Sequence, residues 1–151
     1  MVSRTSQHAL RAVLYLARRW NEGPVPVDTI ADALGAPRNY LSKTLHLLAK
    51  HGIVDSVRGV HGGFSLAVAP ERLPLSRVVD LFDEPRTTDM CLLGGRPCDA
   101  SAPCVAHRRW TAIADAARAP LATTTIADLL GAPAAAEGGT LATPGAALAA
   151  R

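Results

Sequence analysis

The chain reads as a mainly α-helical domain with a small β-wing, followed by a cysteine-bearing loop and a further long helix. Three observations predict this. Apolar residues recur at three and four through the first fifty positions, two short β-type runs flank a glycine-rich stretch at 58–63, and all three cysteines fall between 91 and 104. Helical spacing, a hairpin signal and clustered soft ligands are independent kinds of evidence.

From Thr5 to Trp20, the residues Leu10, Val13, Leu14, Ala17 and Trp20 make the stripe of an amphipathic helix. Ser3, Thr5 or Ser6 can cap it. Gly23-Pro-Val-Pro26 then breaks the chain, and Ile30, Ala31 and Leu34 form a short second helix that Gly35 ends. Pro37 starts a third, running to Lys50 and burying Leu41, Leu45 and Leu48 before His51-Gly52. Two short helices joined by a tight glycine-containing turn are a helix-turn-helix. The strands 53–57 and 64–68 around Arg58-Gly-Val-His-Gly-Gly63 add a hairpin. Together these elements predict a winged helix-turn-helix.

A short helix over 74–82 leads into residues 83–103, which are rich in Gly, Pro, Asp and Thr and cannot build a core alone. A ligated ion would supply the missing order. Residues 105–118 are helical, with Trp110, Ile113, Ala114 and Ala117 available to pack on a partner helix. Thr125 with Asp128 forms a capping box for a last short helix, 126–130. From 132 to 151 the chain is Ala, Gly, Pro and Thr with almost no large apolar residue, and reads as disordered.

At 151 residues the chain holds one ordinary domain, or a small module joined to a helical element that finds cover elsewhere. No run of about 18 apolar residues occurs, so no membrane span is expected. The net charge of +3 is unevenly placed: residues 1–62 carry eight Lys or Arg against four Asp or Glu, and residues 63–120 carry seven of each. His8, His46, His51 and His61 also lie in the basic part, which suits an anionic partner such as DNA.

In a winged helix-turn-helix the third helix enters the major groove. The residues that would reach DNA are Pro37, Arg38, Asn39, Tyr40, Ser42 and Lys43. Arg38 can offer paired donors to guanine and Asn39 can bridge adenine, whereas Ser42 and Lys43 suit phosphates or bases equally. At the wing, Arg58 would lie in or beside the minor groove, with Gly59 allowing close backbone approach and His61 alongside. Tyr40 as a core ring, Asn39 as a helix-end partner and Arg58 as a solvated charge remain open alternatives.

Cys91, Cys98 and Cys104, separated by six and five residues, are followed by His107. Thiolates with an imidazole suit zinc or an iron–sulfur cluster. An odd cysteine count and the lack of a secretory pattern at the amino terminus argue against disulfides and predict a cytoplasmic protein.

Ser6-Gln-His-Ala-Leu-Arg-Ala-Val-Leu-Tyr-Leu-Ala17, Gly23-Pro-Val-Pro26, Tyr40-Leu41 and Gly52-Ile-Val-Asp-Ser-Val-Arg-Gly with Gly62-Gly-Phe64 carry a specific resemblance. Over about residues 1–130 the chain resembles the family of iron–sulfur winged-helix transcription regulators that includes IscR and NsrR. The resemblance implies a homodimer on a near-palindromic DNA operator, with dimer contacts through the helix after the cysteines. It also implies a cluster at Cys91, Cys98 and Cys104. The organisation follows: residues 1–82 as the DNA-binding domain, 83–103 as the cluster-binding loop, 104–131 as dimerisation helices and 132–151 as the tail.

The fourth ligand stays open. Cys104-Val-Ala-His107 is similar to the Cys-x-x-His segment of IscR, which implies a 2Fe-2S site completed by His107. The cysteine spacing is also similar to NsrR, which implies a 4Fe-4S cluster sensitive to nitric oxide, with a carboxylate from the partner's first helix in some members. The matching position here is Gln7, an amide and a poor iron ligand, with His8 beside it. Cluster assembly would order 83–103, fix the separation of two recognition helices and so switch operator affinity in response to redox state, nitric oxide or iron–sulfur status.

Three rivals carry different chemistry. A structural zinc could use the same Cys and His ligands, though without the tight Cys-x-x-Cys knuckles usual at such sites. A metal-free regulator could report redox state through sulfenic acid or disulfides. A thiol enzyme would need a general base, an oxyanion site and a cleft that the sequence does not offer, so a non-enzyme is expected.

Overall fold

The computed structural model describes residues 2–83 and 105–131. Helix α1 spans Arg4–Ala17, α2 Val27–Leu34 and α3 Arg38–Lys50, and the wing strands are β1, Val54–Val57, and β2, Gly63–Leu66. A 3-10 turn at Pro70–Arg72 leads to α4, Leu75–Val79. The segment 84–104 lies outside the described residues, and α5, Val105–Thr123, and α6, Ile126–Gly131, follow it. This is the mainly helical fold with a two-stranded sheet that the sequence predicts.

Ser3 is the cap that α1 uses, its Oγ accepting the Ser6 N–H at 3.2 Å. That bond satisfies one of the donors a helix start leaves open. The buried face of α1 is Ser6, Ala9, Ala12, Val13, Leu16 and Ala17, while Leu10 and Leu14 are only half-buried. The stripe is therefore rotated from the expected one, because alanines let α1 approach α3, α4 and α6 closely. Trp20 departs further: the helix ends at Ala17, Asn21 takes a positive φ of 68°, and the indole is 36% exposed.

Gly35 closes α2 in the left-handed region at φ 59°, and the Ala36 N–H donates to the Ala31 carbonyl at 3.0 Å. A glycine adopts this conformation without a Cβ clash. The chain turns at once into α3, where Pro37 is the cap rather than the first helical residue. Leu41, Leu45 and Leu48 are fully buried, so one face of α3 belongs to the core and the opposite face is left to solvent.

β1 and β2 pair antiparallel from Val54 opposite Leu66 to Val57 opposite Gly63. Val25 adds a further bridge: its N–H donates to the Phe64 carbonyl and its carbonyl accepts the Phe64 N–H, both at 2.8 Å. Gly63 makes this possible. A Cβ there would lie 2.3 Å from the Val25 carbonyl oxygen, so its bare backbone serves packing inside the protein.

The carboxyl-terminal elements return to the same core. The Leu75 N–H donates to the Thr124 carbonyl at 3.0 Å and the Ile126 N–H to the Leu73 carbonyl at 2.9 Å. Thr125 and Asp128 form the expected capping box, with Thr125 N–H donating to Asp128 Oδ2 at 2.8 Å and Asp128 N–H to Thr125 Oγ1 at 3.2 Å. Ile126 is 0% exposed in the cluster that holds Leu16 and Leu73. Helix α5 runs past Arg118 to Thr123, through Pro120, which forfeits only one ladder bond near the helix end. Arg118 donates to Asp80 at 2.8 Å, holding that end beside α4.

Candidate nucleic-acid interface

The polar face of α3 and the wing enclose a groove of 380 Å³ whose walls include Asp28, Arg38, His46, Arg58 and Phe64. Of the sequence-predicted residues, the groove brings together Arg38 from α3 with Arg58 and Gly59 from the wing, while Pro37, Asn39, Tyr40, Ser42, Lys43 and His61 lie outside its walls. Pro37, Arg38, Asn39 and Lys43 are exposed on the first turns of α3, and Ser42 is half-buried. Arg58, Gly59 and His61 are exposed at the wing tip, where Gly59 has a positive φ of 109°. Between them Val60 is 97% exposed.

Tyr40 is half-buried, with the His8 ring packed edge-on at 5.6 Å between centroids. It therefore joins α3 to α1 as well as bordering the candidate surface. His8 is itself half-buried, and its Nδ1 has no hydrogen-bond partner among the described residues. Gln7 is exposed and its amide donates to the Val2 carbonyl at 3.2 Å.

Two ionisable groove residues lie outside the contact set that the sequence assigns by position. His46 stands one turn after Ser42, and its Nδ1–H donates to the Ser42 carbonyl at 2.7 Å. Its ring packs edge-on against Phe64 at 5.2 Å, linking the recognition helix to the wing. The one available signal was the spacing of four from Ser42, which places both on one helix face. Asp28 is the other, its carboxylate ion-paired with Arg38 Nε. As one of two acids on α2, Asp28 carries no sequence signal of its own.

Cys91, Cys98 and Cys104 lie outside the described residues. His107 is half-buried near the start of α5, and its carbonyl accepts the Thr111 hydroxyl at 3.1 Å. Among the described residues no three His, Cys, Asp or Glu side chains gather as a metal site. The donor set of three thiols and a nearby imidazole is chemically suited to an iron–sulfur cluster. No helix among the described residues is long and apolar enough to cross a membrane.

A short helix-turn-helix, a wing on its flank and a cationic groove between them define a winged-helix DNA-binding transcriptional regulator. The chain belongs to the Rrf2 family, whose model, described as an iron-dependent transcriptional regulator, matches residues 2–132. An HTH-type transcriptional regulator of Aquifex aeolicus is 37% identical over 130 residues, covering 85% of this chain and 90% of the relative. The regulator IscR of Erwinia tasmaniensis is 31% identical over 124 residues, covering 82% and 74%. Among solved structures, T. potens IscR superimposes with a TM-score of 0.69 at 28% identity, covering 86% of this chain and 85% of that one. These relatives are named as regulators, in keeping with a chain that is not an enzyme.

Proposed function

We propose that this regulator acts as a cytoplasmic homodimer on a near-palindromic operator, and that an iron–sulfur cluster held by Cys91, Cys98, Cys104 and His107 sets its DNA affinity. The observation that carries the DNA half is the groove flanked by α3 and the wing. Arg38 and Asn39 read base edges, Ser42 and Lys43 position the helix on phosphates, and Arg58 with Gly59 and His61 follows the backbone into the minor groove. Pro37 and Tyr40 border the contact and fix where α3 begins.

A palindromic site needs two recognition helices about 34–36 Å apart. Helix α5 supports such pairing, since Ile113 is 62% exposed on a helix whose described side chains are mostly open to solvent. When bound, the cluster would supply a group reactive toward oxidants and nitric oxide, 2Fe-2S being favoured over 4Fe-4S by the position of His107. The thiols and the neutral imidazole hold their ligand only when deprotonated, so occupancy falls with acidity. Loss of order in the cysteine loop then changes operator affinity without altering a residue that touches DNA, a coupling of about 1–3 kcal/mol.

The test is anaerobic purification, visible absorption, and iron, sulfide and zinc quantified per chain, followed by binding to a duplex selected by the protein. About two irons with structured visible bands supports the 2Fe-2S site, and about four irons with a broad shoulder supports 4Fe-4S. One zinc per chain, or no metal after reconstitution, overturns the cluster switch and leaves the DNA-binding half intact.

A further inference from the structure

We propose that Asp28 is a positioning residue that makes Arg38 a reader of base identity rather than a general phosphate contact. The proposal rests on the reading of α3 as the base-contacting helix. Asp28 lies in the first turn of α2 and Arg38 is the first residue of α3, so the ion pair spans the turn of the helix-turn-helix. Both side chains are open to solvent, 64% and 59% exposed, and both wall the groove shared with Arg58 and His46.

An ion pair this exposed contributes little to stability, because solvent screens it. A carboxylate facing a surface that receives a polyanion also opposes binding by like-charge repulsion. What the pair does change is the behaviour of the guanidinium. Asp28 engages Nε, which leaves the two Nη groups as a planar set of donors. Such paired donors match O6 and N7 of guanine. The adjacent negative charge offsets the cation, so its attraction for phosphate at any sequence is reduced. Asp28 thus lowers non-specific affinity and retains the directional contact, and specificity is the difference between the two.

The experiment compares full-length wild type, Asp28→Asn, Arg38→Ala and the double variant, each purified anaerobically and matched for cofactor content and melting temperature. One probe is a fixed duplex of about 30 base pairs, three helical turns, with arbitrary sequence. The other is a randomised pool of the same length, selected and sequenced. Asp28→Asn is expected to bind the fixed duplex about three- to tenfold tighter at about 0.15 M salt, with the slope of log K against log salt steeper by about one. Its base preference at one pair in each half-site falls about fivefold or more. In the Arg38→Ala background, Asp28→Asn changes none of these.

An unchanged preference and salt slope in Asp28→Asn, with Arg38→Ala still altering the selected sequence, overturns the proposal alone. A full Asp28→Asn effect that survives in the Arg38→Ala background also overturns it, since the carboxylate would then act on DNA directly. Arg38→Ala indistinguishable from wild type on both probes removes the reading of Arg38 as a base contact, and the proposal with it.

Discussion

The Asp83 carboxylate accepts the backbone N–H of Ser3 at 3.0 Å, so the residue that follows Phe82 on the way to the cysteines is tied to the cap of α1. Burial works to raise the Asp83 pKa, but hydrogen bonds from the Ser3 hydroxyl and N–H and from Ser6 more than offset it. The carboxyl is held below its ordinary value of 3.8. A group that titrates lower in the folded chain stabilises fully above its unfolded pKa, about 4, and loses that contribution as the pH falls through its folded value. Asp83→Asn is therefore expected to cost about 1 kcal/mol at neutral pH, the scale of a partly screened charged hydrogen bond. The gap between thermal melts of the two proteins should narrow as the pH falls from 7 to 3; a constant gap would show that charge is not the cause.

Gly63→Ala should be among the most damaging small substitutions in the wing. The added methyl would meet the Val25 carbonyl oxygen at 2.3 Å and the Pro26 nitrogen at 2.8 Å, both of them backbone atoms that cannot rotate away. Relief requires breaking the Val25–Phe64 bridge, at about 2–4 kcal/mol, the range of overpacking combined with lost buried hydrogen bonds. Urea unfolding measures it directly. A loss under about 0.5 kcal/mol, the level of a neutral surface change, would mean that Val25 does not pair with the wing in solution.

Ile126→Ala is expected to destabilise the whole DNA-binding core by about 2–5 kcal/mol, as for other large-to-small changes at fully buried sites. The informative readout is hydrogen exchange at α1. Its amides should lose protection together with those of α6, since both helices share one core. Exchange rising in α6 alone would place Ile126 outside that core.

Ile113→Glu addresses assembly. The side chain is 62% exposed, so the substitution leaves the single-chain core untouched. If α5 pairs with its counterpart, a carboxylate buried at that contact should shift the sedimenting species from dimer to monomer at micromolar concentration and weaken binding to a palindromic duplex more than to a half-site. An unchanged sedimentation profile would move the dimer contact elsewhere.

The features legible in the sequence were the local ones. Leu41, Leu45 and Leu48 follow a helical period, Gly35 ends a helix by its own conformational freedom, and the Thr125–Asp128 box closes over four residues. Each is fixed by neighbours along the chain, and each is observed. The candidate contact face of α3 was legible for the same reason, since helix geometry puts Arg38, Asn39, Ser42 and Lys43 on adjacent turns, all but the half-buried Ser42 being exposed.

What escaped depends on segments far apart in sequence. Val25 sits between two prolines with no strand pattern, and only the arrival of Phe64 gives its backbone a partner. Trp20 satisfied the helical period but fell beyond the helix end, which the chain reversal at Asn21 sets. The Asp28–Arg38 and His46–Phe64 contacts arise from how α2, α3 and the wing are stacked, a relation that no single-helix pattern encodes.

Helix α5 is held near its carboxyl-terminal end, by Arg118 on Asp80 and by Thr124 on Leu75, while its other end adjoins Cys104. It has the mechanics of a lever with its fulcrum beside the core. The arm from Arg118 to Val105 is about 20 Å long, so a tilt of about 5° at the fulcrum carries the far end through about 1.7 Å. Conversely, a displacement of that size at the amino-terminal end reaches the fulcrum as a rotation of only about 5°. Such gearing would let the amino-terminal end of α5 shift while the α3–wing groove keeps its shape.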